Sequence, residues 1–137
     1  MTKQDIILKV KSLNFPPDSY VVFGSCPMAV AGIREANDID LLVAAELFAQ
    51  LKSDGWKELH KSPSDIPLVH EVFEAHDNWN FSSYNPTLDH LLVNSEFVDN
   101  VPFASLEEVK KWKVASNRPK DLADIKLIEQ YLESLKK

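Results

Sequence analysis

"VVFGSCPMAVAGIREANDIDLLV", residues 21–43, decides how this chain is read. An apolar run ends in Gly24-Ser25, a short helical stretch opens around Pro27, and a second apolar run returns carrying Asp38 and Asp40. Proline suits a first helical turn, where its missing N–H costs no hydrogen bond. Side chains i and i+2 of a strand share a face, so Asp38 and Asp40 project together, with Ile39 and Leu41 alternating around them. Two carboxylates this close repel unless something neutralises them. A divalent cation such as Mg2+ does so while leaving room for phosphate oxygens. Gly24-Ser25, just ahead of a helix, offers free backbone N–H groups and a hydroxyl to a phosphate. Gly24, with no Cβ, also allows close backbone approach. On spacing alone, a solvated strand edge and an ordinary turn describe the same residues.

The whole chain sets the frame. Its 137 residues correspond to one domain, 45% hydrophobic and 26% charged, with only three glycines. No apolar run is long enough for a transmembrane helix, and "MTKQDIILKV" is not a signal peptide. Cys26 is the only cysteine, so no disulfide framework is expected and a cytoplasmic location is the default. The formal charge of -6 argues against simple electrostatic wrapping of nucleic acid. Residues 106–137 nevertheless hold 8 basic and 6 acidic side chains, against 7 and 15 in residues 1–105. Contacts to an anion are therefore sought in the C-terminal quarter, although a solvated helical surface shows the same asymmetry.

Periodicity predicts a first helix capped by Thr2 and Asp5, strands over 20–24 and 38–43, and a helix over 45–55 stopped by Gly55. "WKELH" (56–60) is a candidate strand, and "PLVHEVFEA" (67–75) reads as one continuous third strand. "HDNWNFSSYNP" is irregular and aromatic-rich, "TLDHLLVNS" a short helix, and "FVDNVPF" a hairpin turning at Asp99-Asn100. Ser105 and Glu108 form a capping box, Arg118-Pro119 interrupts, and a last helix runs from about Lys120 to Leu135. Its expected apolar stripe is Leu122, Ile125, Ile128, Leu132 and Leu135. The expected architecture is α+β: a small mixed sheet backed by helices, a single domain with a helical segment from about residue 105.

"FGSCPMAVAGIREANDIDLLV" resembles the signature of the nucleotidyltransferase superfamily, the DNA polymerase β-like fold. That pattern is Gly-Gly or Gly-Ser, about a dozen residues, then Asp-hydrophobic-Asp/Glu; here twelve residues separate Ser25 from Asp38. "GIREANDID" is similar to the Gly-x-Arg…Asp-x-Asp run of small bacterial members. "SLEEVKKWKVASNRPKDLADIKLIEQYL" is similar to their closing segment. The likeness spans residues 20–43 and 96–132.

The resemblance implies that Gly24 and Ser25 hold the β- and γ-phosphates of a nucleoside triphosphate. It implies that Asp38 and Asp40 bind Mg2+ or Mn2+, and that an acceptor hydroxyl attacks the α-phosphate and expels pyrophosphate. It also implies a third carboxylate on a neighbouring strand, often the general base. "VHEVFEAHDNW" offers Glu71, Glu74 and Asp77. By alternation Glu71 and Asp77 share a face with Phe73, and Glu74 shares the other with Val72. Glu74 is favoured, because small relatives carry an acid just before a "DNW"-like element; the alternatives stay open.

Lys113, Arg118 and Lys120 are the cations expected to face the triphosphate, each equally at home on a solvated surface. Asp121 is read as a first-turn residue favoured by the helix dipole. Trp79, Phe81 and Tyr84 are candidates for stacking on a base, with core packing the commoner fate. His60, His70, His76 and His90 show no metal-ligand spacing, so zinc is not expected. Cys26, near a helix N-terminus, has a thiol open to a lowered pKa, or is simply a small buried hydrophobe. The leading expectation is an Mg2+-dependent transfer of NMP from an NTP to a small molecule such as an antibiotic, a tRNA end or a protein side chain. The chain leaves little room for a separate substrate domain, so a homodimer or protein partner is one way to complete the site. The alternatives are an inactive fold that binds nucleotide without turnover, and an antitoxin-like interaction module.

Overall fold

Tyr20 to Phe23 are buried at every position, and a strand with no solvent-facing side chain belongs in a sheet covered on both faces. The computed structural model, which describes residues 1–136, contains that sheet. Its elements are α1 (Lys3–Ser12), β1 (Tyr20–Phe23), α2 (Cys26–Val30), β2 (Ile39–Val43), α3 (Ala45–Ser53), β3 (Lys57–Glu58), β4 (Leu68–His70), β5 (Phe73–His76), α4 (Leu88–Val93), β6 (Glu96–Val98), β7 (Val101–Phe103), α5 (Leu106–Ser116) and α6 (Pro119–Ser134). Seven strands form one mixed sheet in the order β3-β4-β5-β2-β1-β7-β6. The α+β class with a mixed sheet backed by helices agrees with the sequence reading. No helix is long and apolar enough to cross a membrane among the described residues.

Strand alternation sorts the interior into two cores. Tyr20, Val22, Ile39, Leu41, Val43, Phe73 and Ala75 join Ile6, Ile7 and Val10 of α1 and Leu51 of α3. Val21, Phe23 and Leu42 join Met28, Leu91, Val109, Trp112 and Ile128 on the other face. Asp40, Glu74 and His76 alternate with residues of the first core, so they project from the second face. Thr2 and Asp5 close a complete capping box on α1. The β6–β7 turn places Asp99 and Asn100 at φ 52° and 68°, the pair of positive values a tight hairpin needs.

Three local expectations are corrected. Residues 67–75 are two strands: β4 and β5 pair antiparallel with His70 opposite Phe73, and Glu71 takes φ 53° in the turn between them. The alternation is real on either side, but a two-residue turn without Gly, Asn or Pro left no mark on the pattern. The α6 stripe is displaced. Its buried positions are Asp121, Asp124 and Ile128, while Leu122 and Leu135 are exposed. Finally, Ser105 accepts from the Glu108 N–H, but the Glu108 carboxylate does not return to the cap. It is buried instead, accepting from Tyr84 Oη at 2.7 Å and from Lys111 Nζ at 3.0 Å, with His90 Nε2 3.3 Å away.

Candidate active site

Two strand pairings build the site. Asp40 lies opposite Phe23 across the antiparallel β1–β2 pair and opposite Glu74 across the parallel β2–β5 pair. Gly24 follows Phe23 with φ 67°, a conformation side chains with a Cβ rarely adopt. A Cβ there would stand 2.9 Å from both Cβ and Cγ of Asp40. The Gly24 of the sequence signature therefore has a local cause: it gives the Asp40 side chain its place. Trp79 stacks on Phe23 with centroids 4.7 Å apart, and Trp112 meets both rings edge-on at 5.6 and 5.1 Å. This aromatic block fixes the end of β1 from beneath.

Above it opens a cleft of about 440 Å3. Asp40, Glu74 and His76 each bring one ligand atom to it, all within 4.8 Å of one another. His76 Nε2 lies 3.3 Å from Glu74 Oε1 and 3.7 Å from Asp40 Oδ1, and Lys61 Nζ contacts Glu74 Oε1. The imidazole beside Glu74 is the main influence holding its carboxyl down at about 2, with Lys61 adding to it, against burial, which pushes up. Burial works against the His76 imidazolium, yet Asp40 and Glu74 outweigh it and raise the group to about 8. For Lys61 the same contest, burial against Glu74 and Asp40, ends in a raised pKa. Asp38 is pushed up by loss of solvent first, and then by the Asp40 and Glu74 charges. Despite these attractions, Glu74 Oε1 and His76 Nε2 are buried and neither makes a hydrogen bond of good geometry. Two carboxylate oxygens and an imidazole nitrogen at this spacing are a donor set that fits a divalent metal ion, which would displace the His76 proton on binding.

The opposite wall is cationic and comes from the α5–α6 corner. Asn117 ends α5 in the left-handed conformation and Pro119 starts α6, so the chain reverses there. The reversal sets Lys113, in the last turn of α5, against the first turns of α6. Its ammonium is 2.9 Å from Asp124 Oδ2 and 3.5 Å from Asp121 Oδ1, and 4.4 Å from the Trp112 ring centroid. Arg34, between α2 and β2, donates from Nη1 to both Asp124 oxygens at 3.0 and 2.8 Å. Arg118 donates from Nε and Nη2 to Asp121 at 2.8 and 3.1 Å. Lys120 is exposed and makes no ion pair among the described residues. Four cations thus face the cleft against two carboxylates.

Ser25, Asp38, Asp40, Glu74, Lys113, Arg118 and Lys120 all line this one cleft. Asp38 stands just before β2, outside the tight three-atom group, and its carbonyl accepts from Cys26 Sγ at 3.3 Å. Glu71 is exposed in its turn, while Asp77 is exposed beyond β5. Trp79 packs in the core, as the commoner reading had it, and Tyr84 is tied to Glu108. The Cys26 thiol is not activated: burial, with Asp40 and Asp38 nearby, pushes it up to about 12.

Sequence reasoning set His76 aside as lacking metal-ligand spacing, and passed over Lys61 and Asp124. For His76 a signal existed, since Glu74-Ala75-His76 places acid and imidazole on one strand face. For the other two no signal existed, because both depend on contacts between segments remote in sequence.

No protein-family model matches the chain, and no curated protein matches it either. Among solved structures it is similar to ANT(2")-Ia in complex with adenylyl-2"-tobramycin, with a TM-score of 0.54 and 16% sequence identity. The likeness covers 96% of this chain and 87% of that one. At this coverage it identifies the fold of this chain as nucleotidyltransferase-like.

Proposed function

We propose that the protein is a nucleotidyltransferase that moves NMP from a nucleoside triphosphate to an acceptor hydroxyl with the help of Mg2+ or Mn2+. The observation that carries this reading is the division of one cleft into a carboxylate–imidazole wall and a cationic wall. Asp40, Glu74 and His76 hold the metal, with Asp38 beside them on the triphosphate side. The imidazole nitrogen leans the donor set toward Mn2+ over Mg2+. A metal bound there supplies Lewis-acid stabilisation of charge on the phosphoryl oxygens. Gly24 and Ser25 approach the β- and γ-phosphates. Arg118 and Lys120 contact them, and Lys113 contributes positive potential from its buried position between Asp121 and Asp124. The acceptor hydroxyl gives up its proton to solvent as its oxygen attacks the α-phosphorus, the bond from that phosphorus to the β-bridging oxygen breaks, and pyrophosphate leaves. Glu74, whose anion is stabilised by His76 and Lys61, acts as a ligand.

The test is calorimetric titration of ATP, GTP, CTP and UTP, with Mg2+ or Mn2+ and with EDTA. It uses the wild type and the Asp38→Asn/Asp40→Asn double variant. Metal-dependent binding that the double variant loses is expected. Binding that survives the double variant favours an inactive nucleotide-binding fold, and no binding of any nucleotide sinks the enzyme reading for this chain.

A further inference from the structure

Lys61 belongs to the turn between β3 and β4, which hydrogen-bonds chiefly to itself. Lys61 N–H donates to the Asp65 carbonyl at 3.1 Å, and Ser62 and Asp65 exchange bonds at 3.3 and 3.1 Å. Residues 61–64 are exposed. Lys61, Ser64 and Asp65 of this turn line the cleft, and two of them reach the metal-ligand candidates: Lys61 to Glu74 Oε1, and Asp65 Oδ1 to within 4.0 Å of His76 Nδ1. The cationic wall on the other side of the cleft is different, because Arg34, Lys113 and Arg118 pair with Asp121 and Asp124 without help from β2 or β5.

We propose that Lys61 is a built-in competitor for the metal site, an ammonium that neutralises Glu74 until a divalent ion displaces it. The inference rests on the reading of Asp40, Glu74 and His76 as the metal-binding group. A dication bound through Glu74 Oε1 and an ammonium in contact with the same oxygen are only a few ångströms apart, and their repulsion in a half-buried cleft is strong. Occupancy by one therefore weakens occupancy by the other. The Lys61 side chain, 43% exposed, lets the ammonium swing into the cleft mouth once it is displaced. Lys61 thus sets how much metal the protein takes up, and metal uptake releases one of the two side-chain contacts from the turn to the cleft.

The experiment is a Mn2+ titration of metal-stripped protein without nucleotide, read by the spin-resonance signal of free Mn2+. It uses the wild type, Lys61→Ala, Lys61→Gln, Glu74→Gln, and Lys9→Ala as an exposed control that removes the same charge far from the cleft. Both Lys61 variants are expected to bind Mn2+ about tenfold more tightly than the wild type, and the control to change affinity less than about twofold. Glu74→Gln is expected to lose most of the binding. Lys61 variants that match the control, or bind more weakly than the wild type, overturn the proposal while the metal site stands. Absence of Mn2+ binding in every variant, or binding untouched by Glu74→Gln, overturns the metal reading and this proposal with it.

Discussion

On the α5–α6 wall, Lys113 is 2% exposed and touches two carboxylates, each of which also serves an arginine. On the β2–β5 wall, His76 and Glu74 are nearly as buried, at 11% and 13%, yet each leaves one atom without a hydrogen bond. The first arrangement is self-sufficient. The second sets Asp38, Asp40 and Glu74 against Lys61 and His76, and its acids and imidazole shift one another's pKa values in consequence. Buried polar groups are normally satisfied, so orphaned atoms at the mouth of a cleft mark the wall that awaits a ligand. On the other wall the Lys113–Asp121–Asp124 group works as scaffold and as a source of fixed potential, while Arg118 and Lys120 remain exposed to the cleft.

That contrast is easiest to break by mutation. Asp124→Asn removes the partner shared by Lys113 and Arg34, and is expected to lower unfolding free energy by about 3–5 kcal/mol. Asp40→Asn in EDTA is expected to change it by less than about 1 kcal/mol, because lost attraction to His76 is offset by relief from Asp38 and Glu74. Urea midpoints at neutral pH compare the two, and equal losses would erase the distinction between the walls.

Gly24→Ala sharpens the comparison from the other side. It places a Cβ against Asp40 and forces an unfavourable left-handed conformation, so a loss of about 2 kcal/mol or more is expected. The same urea series measures it, and Mn2+ binding should fall with it, since Asp40 must move. An alanine variant of unchanged stability would mean that Asp40 does not need that space.

A further effect is expected in the pH dependence of the metal-free protein. His76 has a folded pKa of about 8 against its ordinary value of 6.5. A group raised on folding stabilises most where it is protonated in both states. The contribution, about 2 kcal/mol, is therefore complete below about pH 6.5 and lost as pH rises through about 8. Urea midpoints from pH 6 to 9 in EDTA should decline across that window for the wild type and stay flatter for His76→Asn.

Much of the site was legible in residues 21–43, because its signals are local. Gly24 answers a backbone conformation, Pro27 a first helical turn, and Asp38 with Asp40 the two-residue period of a strand. Glu74 was one of three candidates for a physical reason. The β4–β5 turn at Glu71 uses no turn-marking residue, so the pattern ran through it as one strand. The α6 leucines misled in the opposite way. A helical stripe is inferred by assuming that apolar residues face inward, and here Asp121 and Asp124 do, because Lys113, Arg118 and Arg34 meet them.

The sequence by itself determined the helices, the Thr2–Asp5 cap, the apolar strand β1, the hairpin at Asp99-Asn100 and the acid pair at the start of β2. Each follows from interactions within a few residues, where propensity and periodicity act directly. Only the tertiary structure decided that Glu74 stands beside Asp40, that His76 and Lys61 enter the same group, and that Asp124 ties three segments together. Those partners lie on remote segments, and their charges acquire meaning only when folding removes the water that would otherwise screen them.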